Sequence, residues 1–354
     1  MQSQPMRNYK FETGVYRPPS EGGSYSLLVR FTRNCPWNHC TFCGMYKTKR
    51  FQVRGFKEIK ADIDAMAAIC SDLREMSHHL GHGGSITQKA AVNLIQQVPE
   101  LNCHQGFAMI YHWLLSDAAT AFIQDADSLV MKTDDLVEAL RYLRSTFPSI
   151  SRVTSYARSK TVKQKSLEEL KAIQQAGLDR LHIGLESGDD MVLKNIKKGA
   201  KAEVHIQCGR KAMEAGFQLS EYWMPGIGGK ALWQAHARNT ARVLNAINPH
   251  YIRSRPFHPW PGTPLIEEID SQAFEMLSVE EQLRELKLTM EELEVTARVC
   301  FDHAGNYWKN RKGRLLFSHS YEGYQFPKEK QTVLDLIKEG LKVRGFNNQQ
   351  KRIF

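Results

Sequence analysis

The sequence lacks a long apolar run, a secretory leader and a disulfide-like arrangement of cysteines. No stretch approaches the roughly 18 consecutive apolar residues that a membrane-spanning helix requires, and Met1–Tyr9 has no apolar core of the kind that a signal peptide carries. Four of the 7 cysteines are scattered singly along the chain, at Cys70, Cys103, Cys208 and Cys300. Scattered cysteines in a long chain favour a reducing compartment. We therefore expect a soluble, cytoplasmic protein.

Two further absences restrict the function. The sequence contains no phosphate-binding loop of the form G-x-x-x-x-G-K-[ST] and no second group of clustered cysteines. The net charge of +10 raises the question of nucleic-acid binding. However, the dense basic groups at Lys47–Arg50, Lys194–Lys201 and Lys309–Arg314 carry no recognisable RNA-binding module. An anionic small substrate, or lysines that are merely solvated, would explain the charge equally well.

Three cysteines lie together in one stretch, which we call the cysteine loop: Cys35-Pro36-Trp37-Asn38-His39-Cys40-Thr41-Phe42-Cys43. Their spacing is C-x4-C-x2-C, directly after a predicted strand. Three thiolates on a short loop can hold three irons of a [4Fe–4S] cluster and leave the fourth iron open to a substrate or cofactor. The loop alone leaves two alternatives. One is a zinc ion held by the three cysteines with His39 or a distant group as fourth ligand, and the other is three small buried residues with no ligand.

Predicted strands and helices alternate through most of the chain. Strands are predicted at about 24–32, 121–123, 151–156, 180–186, 218–223 and 250–255, and helices at about 57–76, 86–98, 134–145, 166–177, 202–215 and 231–246. Alternation of this kind predicts βα units around a parallel sheet. Six units predict an α/β fold that suits a partial (β/α)6 TIM-like barrel, with functional groups at the C-terminal ends of the strands.

The remaining segments complete the expected domain organisation. We expect an irregular lead-in at 1–23, a core barrel at 24–265 with an insertion at about 77–116, and a small α-helical region at 266–354. Ser278 and Glu281 form a capping box that predicts the start of a long helix, with apolar residues as far as Val299. A shorter helix is predicted at about 329–341.

The cysteine loop resembles the signature of the radical S-adenosylmethionine (SAM) superfamily. The usual form of that signature is C-x3-C-x2-C with an aromatic residue before the last cysteine, the place that Phe42 fills here. This sequence has one extra residue between Cys35 and Cys40. The segments Leu185–Gly188 and Pro261–Leu265 are similar to those of the branch that includes the oxygen-independent coproporphyrinogen oxidase and Elp3-type enzymes.

The resemblance implies which residues at the strand ends bind SAM. Asp125 and Asp127 would contact the amino group of SAM, although an Asp-x-Asp pair can also hold magnesium. Ser155 and Arg158 follow the third strand, where a guanidinium can pair with the SAM carboxylate. The other residues implied are Glu186 for SAM or the substrate, Gly226 and Ile227 for the backbone against adenine, and Phe42 near the adenine.

The resemblance also implies the chemistry. Cys35, Cys40 and Cys43 would bind a [4Fe–4S] cluster that chelates SAM, and an external donor similar to flavodoxin or ferredoxin would supply one electron. The 5′-deoxyadenosyl radical so formed would take hydrogen from an unidentified substrate, either a small molecule or an RNA. The alternative from another functional class is a non-catalytic iron–sulfur or zinc protein that binds RNA or a partner through its basic surface.

Overall fold

The computed structural model describes residues 8–14 and 26–343. Contacts divide the chain into two compact units. The first unit runs to Pro36 and includes Arg50–Tyr156 and Glu168–Arg180; the second comprises Trp37–Lys49, Ala157–Leu167 and the chain from Leu181 onward. Over the described ranges, the helices are all too short or too polar to traverse a lipid bilayer.

The regular elements are numbered here in chain order. The strands are β1 Leu27–Val29, β2 Thr32–Arg33, β3 Gln52–Val53, β4 Thr120–Ile123, β5 Arg152–Ala157, β6 Arg180–Glu186, β7 Gln218–Trp223, β8 Tyr251–Ser254, β9 Arg298–Cys300 and β10 Tyr324–Gln325. The helices are α1 Phe56–His79, α2 Gln88–Gln97, α3 Gln105–Leu115, α4 Thr133–Thr146, α5 Ser159–Gln164, α6 Leu167–Gln175, α7 Asp190–Asn195, α8 Ala202–Glu214, α9 Gly229–Ile247, α10 Pro264–Asp270, α11 Val279–Glu292 and α12 Lys330–Leu341.

The first unit contains three parallel strands. β1 pairs with β4 in the register Leu28↔Phe122, and β4 pairs with β5 in the register Phe122↔Thr154. β2 and β3 form a separate antiparallel pair. The apolar positions that predicted α1 are buried, because their spacing places them on one side of the helix: Ile59, Ile63, Met66, Ile69 and Leu73. That side packs towards α2, α3 and α4.

The second unit continues the parallel pattern. Its strands run in the order β6-β7-β8-β9-β10, with β7, β8 and β9 parallel and β10 antiparallel to β9. The strand predicted at 218–223 is confirmed as β7, and the one at 180–186 as β6. α8, α9, α11 and α12 pack side by side, and α5 packs on α8. The apolar face of these helices and the buried side of the strands form the core of this unit.

The C-terminal region differs in part from the prediction. The capping box is confirmed: the N–H of Ser278 donates to Oε2 of Glu281 over 2.7 Å, and the N–H of Glu281 donates to Oγ of Ser278 over 3.3 Å. The helix, however, ends at Glu292, and Val299 lies in β9. Pairing of β9 with β8 satisfies the backbone of this segment, a gain that its local apolar spacing does not indicate.

The fold class is α/β with a mostly parallel sheet, as the sequence predicted, and it is consistent with a partial barrel. Over residues 26–343 the strand order does not close into a complete barrel. The boundaries proposed for the lead-in, core and C-terminal region stay predictions, and most of residues 1–23 lie outside the described residues.

Candidate functional site

The cysteine loop contributes to both units. Cys35 belongs to the first unit, whereas Cys40 and Cys43 belong to the second. All three side chains are half-buried. Within the described ranges, no set of three or more His, Cys, Asp or Glu side chains is arranged to hold a metal ion. The three-cysteine ligand set therefore stays a prediction from the sequence.

Backbone hydrogen bonds hold the later half of the loop in the second unit. The N–H of Thr41 donates to the carbonyl of Ile196 over 3.0 Å, and the N–H of Leu265 donates to the carbonyl of Thr41 over 3.1 Å. Phe42 packs against an apolar cluster made of Val192, Ile196, Ile227, Phe257 and Leu265. Two of the predicted cofactor residues, Phe42 and Ile227, are thus brought to one apolar cluster.

Trp37 lies in the widened first gap of the cysteine loop, between Cys35 and Cys40. Its indole N–H donates to the carbonyl of Lys197 over 2.7 Å, and the guanidinium of Arg158 lies 5.0 Å from the ring centroid. The ring also approaches Gly199, where a Cβ would lie 2.5 Å from the indole. Gly199 has a φ of +81°, a conformation that also favours glycine. The gap residue therefore anchors the loop to the segment that follows α7.

A buried ion pair lies at the end of β6. Nζ of Lys198 is 2.8 Å from Oε1 of Glu186, and the two side chains are 14% and 12% exposed. Gly184 makes room for the pair, because a Cβ there would lie 2.3 Å from Oε1 of Glu186. Burial opposes protonation of Lys198, but the Glu186 carboxylate and the Cys40 thiolate outweigh it and raise the pKa of Lys198. Lys198 thus interacts electrostatically with Cys40, one of the predicted cluster ligands.

Sequence reasoning did not single out Lys198. It lies in the basic group Lys194–Lys201, in which Lys194, Lys197 and Lys201 are exposed. Lys197 has a φ of +51°, so the chain turns sharply there. The only local signal for that turn is the glycine at position 199, which does not reveal which lysine is buried.

Glu221 in β7 is a second buried group that the sequence did not indicate. It is fully buried, and neither carboxylate oxygen has a hydrogen-bond partner among the residues that the structure describes. Burial raises the pKa of Glu221 well above its ordinary value, which the charge of Lys198 offsets only in part. Burial therefore favours the protonated, uncharged form of the Glu221 carboxyl group.

The predicted adenine turn is held by a helix of the C-terminal region. The N–H of Gly226, whose φ is +90°, donates to Oε1 of Glu285 in α11 over 2.8 Å. The same oxygen lies 3.5 Å from Nε2 of His236, whose Nδ1 is 2.8 Å from Oγ of Ser187. Burial raises the pKa of Glu285 to about 8 and lowers the pKa of His236 to about 4. Both side chains are therefore uncharged at neutral pH.

The predicted ammonium-binding segment lies in the first unit. Asp125 is buried and accepts from Nε of Arg30 over 2.6 Å, so an arginine already balances its charge. Asp127 is fully buried. Ser155 is buried as well and donates from Oγ to the carbonyl of Tyr156 over 3.0 Å. Nothing in these contacts tests a role in SAM binding, which stays a prediction for all three residues.

Residues 117–234 match the sequence profile of the Radical SAM superfamily. The chain contains a radical SAM domain. The matched segment includes Lys198, Glu221 and the turn at Gly226 but begins after the cysteine loop, so the match does not test the three ligands. The superfamily binds a [4Fe–4S] cluster and SAM, and the domain supports an enzyme with radical SAM chemistry in general.

The chain is also similar to the heme chaperone HemW of Bacillus subtilis (strain 168). The identity is 27% over 137 residues, which are 38% of this chain and 36% of HemW. The matched region thus spans little more than a third of that relative. This similarity accords with the coproporphyrinogen oxidase and Elp3-like branch that the sequence indicated.

The chain also shows a weak likeness to two solved structures, one of them described as a radical SAM enzyme. The coproporphyrinogen III oxidase HemN of Escherichia coli is 13% identical with a TM-score of 0.45, over 81% of this chain and 53% of HemN. The archaeal Elp3 of Methanocaldococcus infernus is 14% identical with a TM-score of 0.46, over 72% of this chain and 59% of Elp3. Likeness at these values says nothing about function.

The side chains of the second unit fit the chemical groups of SAM. SAM carries an ammonium, a carboxylate and an adenine. The ammonium of Lys198 and the guanidinium of Arg158 are cations of the kind that pairs with a carboxylate such as that of SAM. Glu221 offers two oxygens with no partner among the described residues, and the apolar cluster at Phe42 and Ile227 suits an aromatic base. The soft thiols of the cysteine loop match iron.

Proposed function

We propose that this protein cleaves SAM reductively at a [4Fe–4S] cluster held by Cys35, Cys40 and Cys43. The proposal rests on the position of Lys198, a buried ammonium that pairs with Glu186 and interacts with Cys40. A largely buried titratable group whose pKa is perturbed by specific charged partners is typical of functional sites. When bound, the cluster and SAM supply a 5′-deoxyadenosyl radical that removes hydrogen from a substrate.

The residues of the second unit would bind and orient SAM. Lys198 and Arg158 would hold the carboxylate, because both present cationic donors, and Arg158 is fixed by its hydrogen bond of 3.1 Å to the carbonyl of Lys198. Glu186 would keep Lys198 charged. The apolar cluster at Phe42 and Ile227 would exclude water from the adenine. Asp125 and Asp127 of the first unit are proposed for the ammonium from the sequence alone.

Metal content and SAM cleavage test the proposal. Anaerobically reconstituted protein should bind about four irons and absorb near 400 nm. Cys35→Ala, Cys40→Ala and Cys43→Ala should each abolish that absorption, while Cys103→Ala, an exposed cysteine outside the loop, should leave it unchanged. With dithionite and SAM the wild type should form 5′-deoxyadenosine. Stoichiometric zinc without absorption near 400 nm would contradict the proposal.

Heme binding is a second candidate function, favoured by the similarity to the heme chaperone HemW. The test is titration of the reconstituted protein with hemin. A saturable Soret band at one heme per chain, together with no 5′-deoxyadenosine above the background, would favour this function over SAM cleavage. Weak, unsaturable absorption would exclude it.

A further inference from the structure

A lysine-rich groove lies beside the cysteine loop, entirely within the second unit. Its volume is about 940 Å³. We call it the lysine groove and define it by Trp37, Met191, Lys160, Lys163, Lys194 and Lys201. Lys197 also lines it. It is separate from the buried Lys198–Glu186 pair, which does not line it.

The groove is strongly cationic. Of its charged lining residues, five are lysines and one, Asp190, is acidic. The carboxylate of Asp190 already accepts a hydrogen bond of 2.7 Å from the N–H of Ala202. The described lining residues include no arginine. The groove therefore presents several mobile ammonium groups, which attract an acidic partner over long range rather than fix a single anion.

Apolar side chains lie among these charges. Met191 is 53% exposed, although it is large and apolar. Leu193, Val204 and the half-buried ring of Trp37 also line the groove. An apolar centre with an exposed methionine inside a polar rim resembles the anatomy of a protein–protein interface.

The groove adjoins the predicted cluster ligands through Trp37. This residue follows Cys35 by two positions and precedes Cys40 by three. Its hydrogen bond to Lys197 and its contact with Gly199 make the cysteine loop one wall of the groove. A partner seated in the groove would therefore contact the cysteine loop itself.

We propose that the lysine groove docks the acidic electron-carrier protein that reduces the cluster. This inference rests on the proposed function. In the docked complex the reduced carrier would give one electron to the cluster and would itself be oxidised by one electron, and no bond would form or break. Complementary charge raises the association rate of such a transient complex and orients it, while the apolar centre around Met191 stabilises the contact.

The contacts of Trp37 favour a protein over an RNA. Single-stranded RNA binds through bases stacked on exposed aromatic faces and through arginine. The ring of Trp37 is packed against Arg158 and Gly199, and its N–H is already bonded. The ring is therefore not available for base stacking, and an RNA could contact the groove only through the charges of the lysines.

The test uses the full chain as purified and a recombinant bacterial flavodoxin as the acidic probe. Wild-type protein should bind flavodoxin with an affinity that falls steeply between low and physiological salt. The variant Lys160→Glu/Lys194→Glu/Lys201→Glu should bind at least about 10-fold more weakly at low salt. The matched variant Lys309→Glu/Lys312→Glu/Lys328→Glu changes the net charge equally at exposed sites outside the groove, and should bind within about 2-fold of the wild type.

A second readout separates docking from the chemistry. In reconstituted protein, the groove variant should lose 5′-deoxyadenosine formation driven by flavodoxin and keep the formation driven by dithionite. If no reductant drives 5′-deoxyadenosine formation in the wild type, the proposed function fails. The comparison of flavodoxin binding between the two triple variants still tests the docking proposal in that case. Equal flavodoxin binding by the two triple variants would overturn the docking proposal. The docking proposal would also be overturned if the wild type bound an RNA oligonucleotide more tightly than flavodoxin and the groove variant lost that RNA binding.

Discussion

Nζ of Lys198 lies 2.8 Å from Oε1 of Glu186, at a place where β6 ends and a Cβ on Gly184 would strike both groups. Glu186 itself has a φ of +60°, which is unusual for a residue with a side chain. A strained backbone and a buried ion pair at one strand end are both costly. Their coincidence in the radical SAM domain is typical of a functional site.

The ion pair has a measurable effect on stability. Lys198→Met should lower the free energy of unfolding by about 3 kcal/mol, because Glu186 would be left buried without its partner. The double variant Glu186→Gln/Lys198→Met should recover much of that loss. Urea unfolding of the wild type, both single variants and the double variant gives the coupling energy. Lys201→Met, at an exposed lysine of the same segment, is the control and should change stability little.

SAM binding provides a separate readout of the same residue. Lys198→Met should weaken SAM binding by the reconstituted protein at least about 10-fold, as expected for the loss of a charged hydrogen bond. Equilibrium dialysis with labelled SAM measures this. Unchanged affinity in a folded Lys198→Met variant would remove Lys198 from the site.

The pair of Glu285 and His236 predicts a pH dependence of stability. Burial raises the pKa of Glu285 from 4.5 to about 8 in the folded state. At a pH between these two values the folded protein keeps a proton on Glu285 that the unfolded chain has lost. Stability from this group is present in acid and is lost as the pH rises towards 8. His236, with a pKa lowered to about 4, acts in the opposite sense, but only below its ordinary value near 6.5.

The window from pH 6.5 to 8 lies above the ordinary pKa of histidine and contains the titration of Glu285. The pKa of Glu221 is also raised by burial, so the effect of Glu285 is the difference between the wild type and Glu285→Gln. The wild type should lose about 2 kcal/mol more stability than Glu285→Gln across this window. Glu285→Gln keeps an oxygen to accept from the N–H of Gly226 and removes the titration, so its stability should fall less over the same range. Urea unfolding at pH 6.5, 7.2 and 8.0 tests this. Parallel curves for the two proteins would show that Glu285 does not titrate there.

The close contact of Trp37 with Gly199 predicts a cost that depends on the indole. Gly199→Ala forces a Cβ into the ring and strains a φ of +81°, whereas Gly262→Ala strains a φ of +75° with nothing within 4 Å. Gly199→Ala should therefore be more destabilising than Gly262→Ala by about 1–3 kcal/mol. Thermal unfolding of both variants measures the difference. In a Trp37→Ala background the excess should disappear, and an excess that persists there would place the clash elsewhere.

Substitution of Asp125 distinguishes a structural role of this residue from a role in cofactor binding. Asp125→Asn should destabilise the protein by about 1–3 kcal/mol, since the buried Arg30 would lose one of its two carboxylate partners and keep only Glu12. Asp134→Asn, at an exposed aspartate, should have little effect. If the residue also contacts the SAM ammonium, SAM affinity falls in the same variant under conditions where it is fully folded. Lower stability with unchanged SAM affinity would assign Asp125 to the ion pair alone.

The strongly patterned elements were predictable from the sequence. β6 and β7 have the predicted bounds, and the capping box of Ser278 and Glu281 begins α11, because these signals are local. The short strand β9 was not predictable. Its residues continue an apolar spacing that also suits a helix, and only pairing with β8 makes them a strand.

Local patterns in the chain are enough to predict the α/β class, the three clustered thiols and the radical SAM resemblance, because periodicity and ligand spacing depend only on the order of the residues. Tertiary structure alone decided which lysine of Lys194–Lys201 is buried, since burial depends on the turn at Lys197 and the space at Gly184. It also decided that Glu285 holds Gly226, a contact between residues 59 positions apart. Chain order carries no record of such a contact, which arises only when α11 packs against α9.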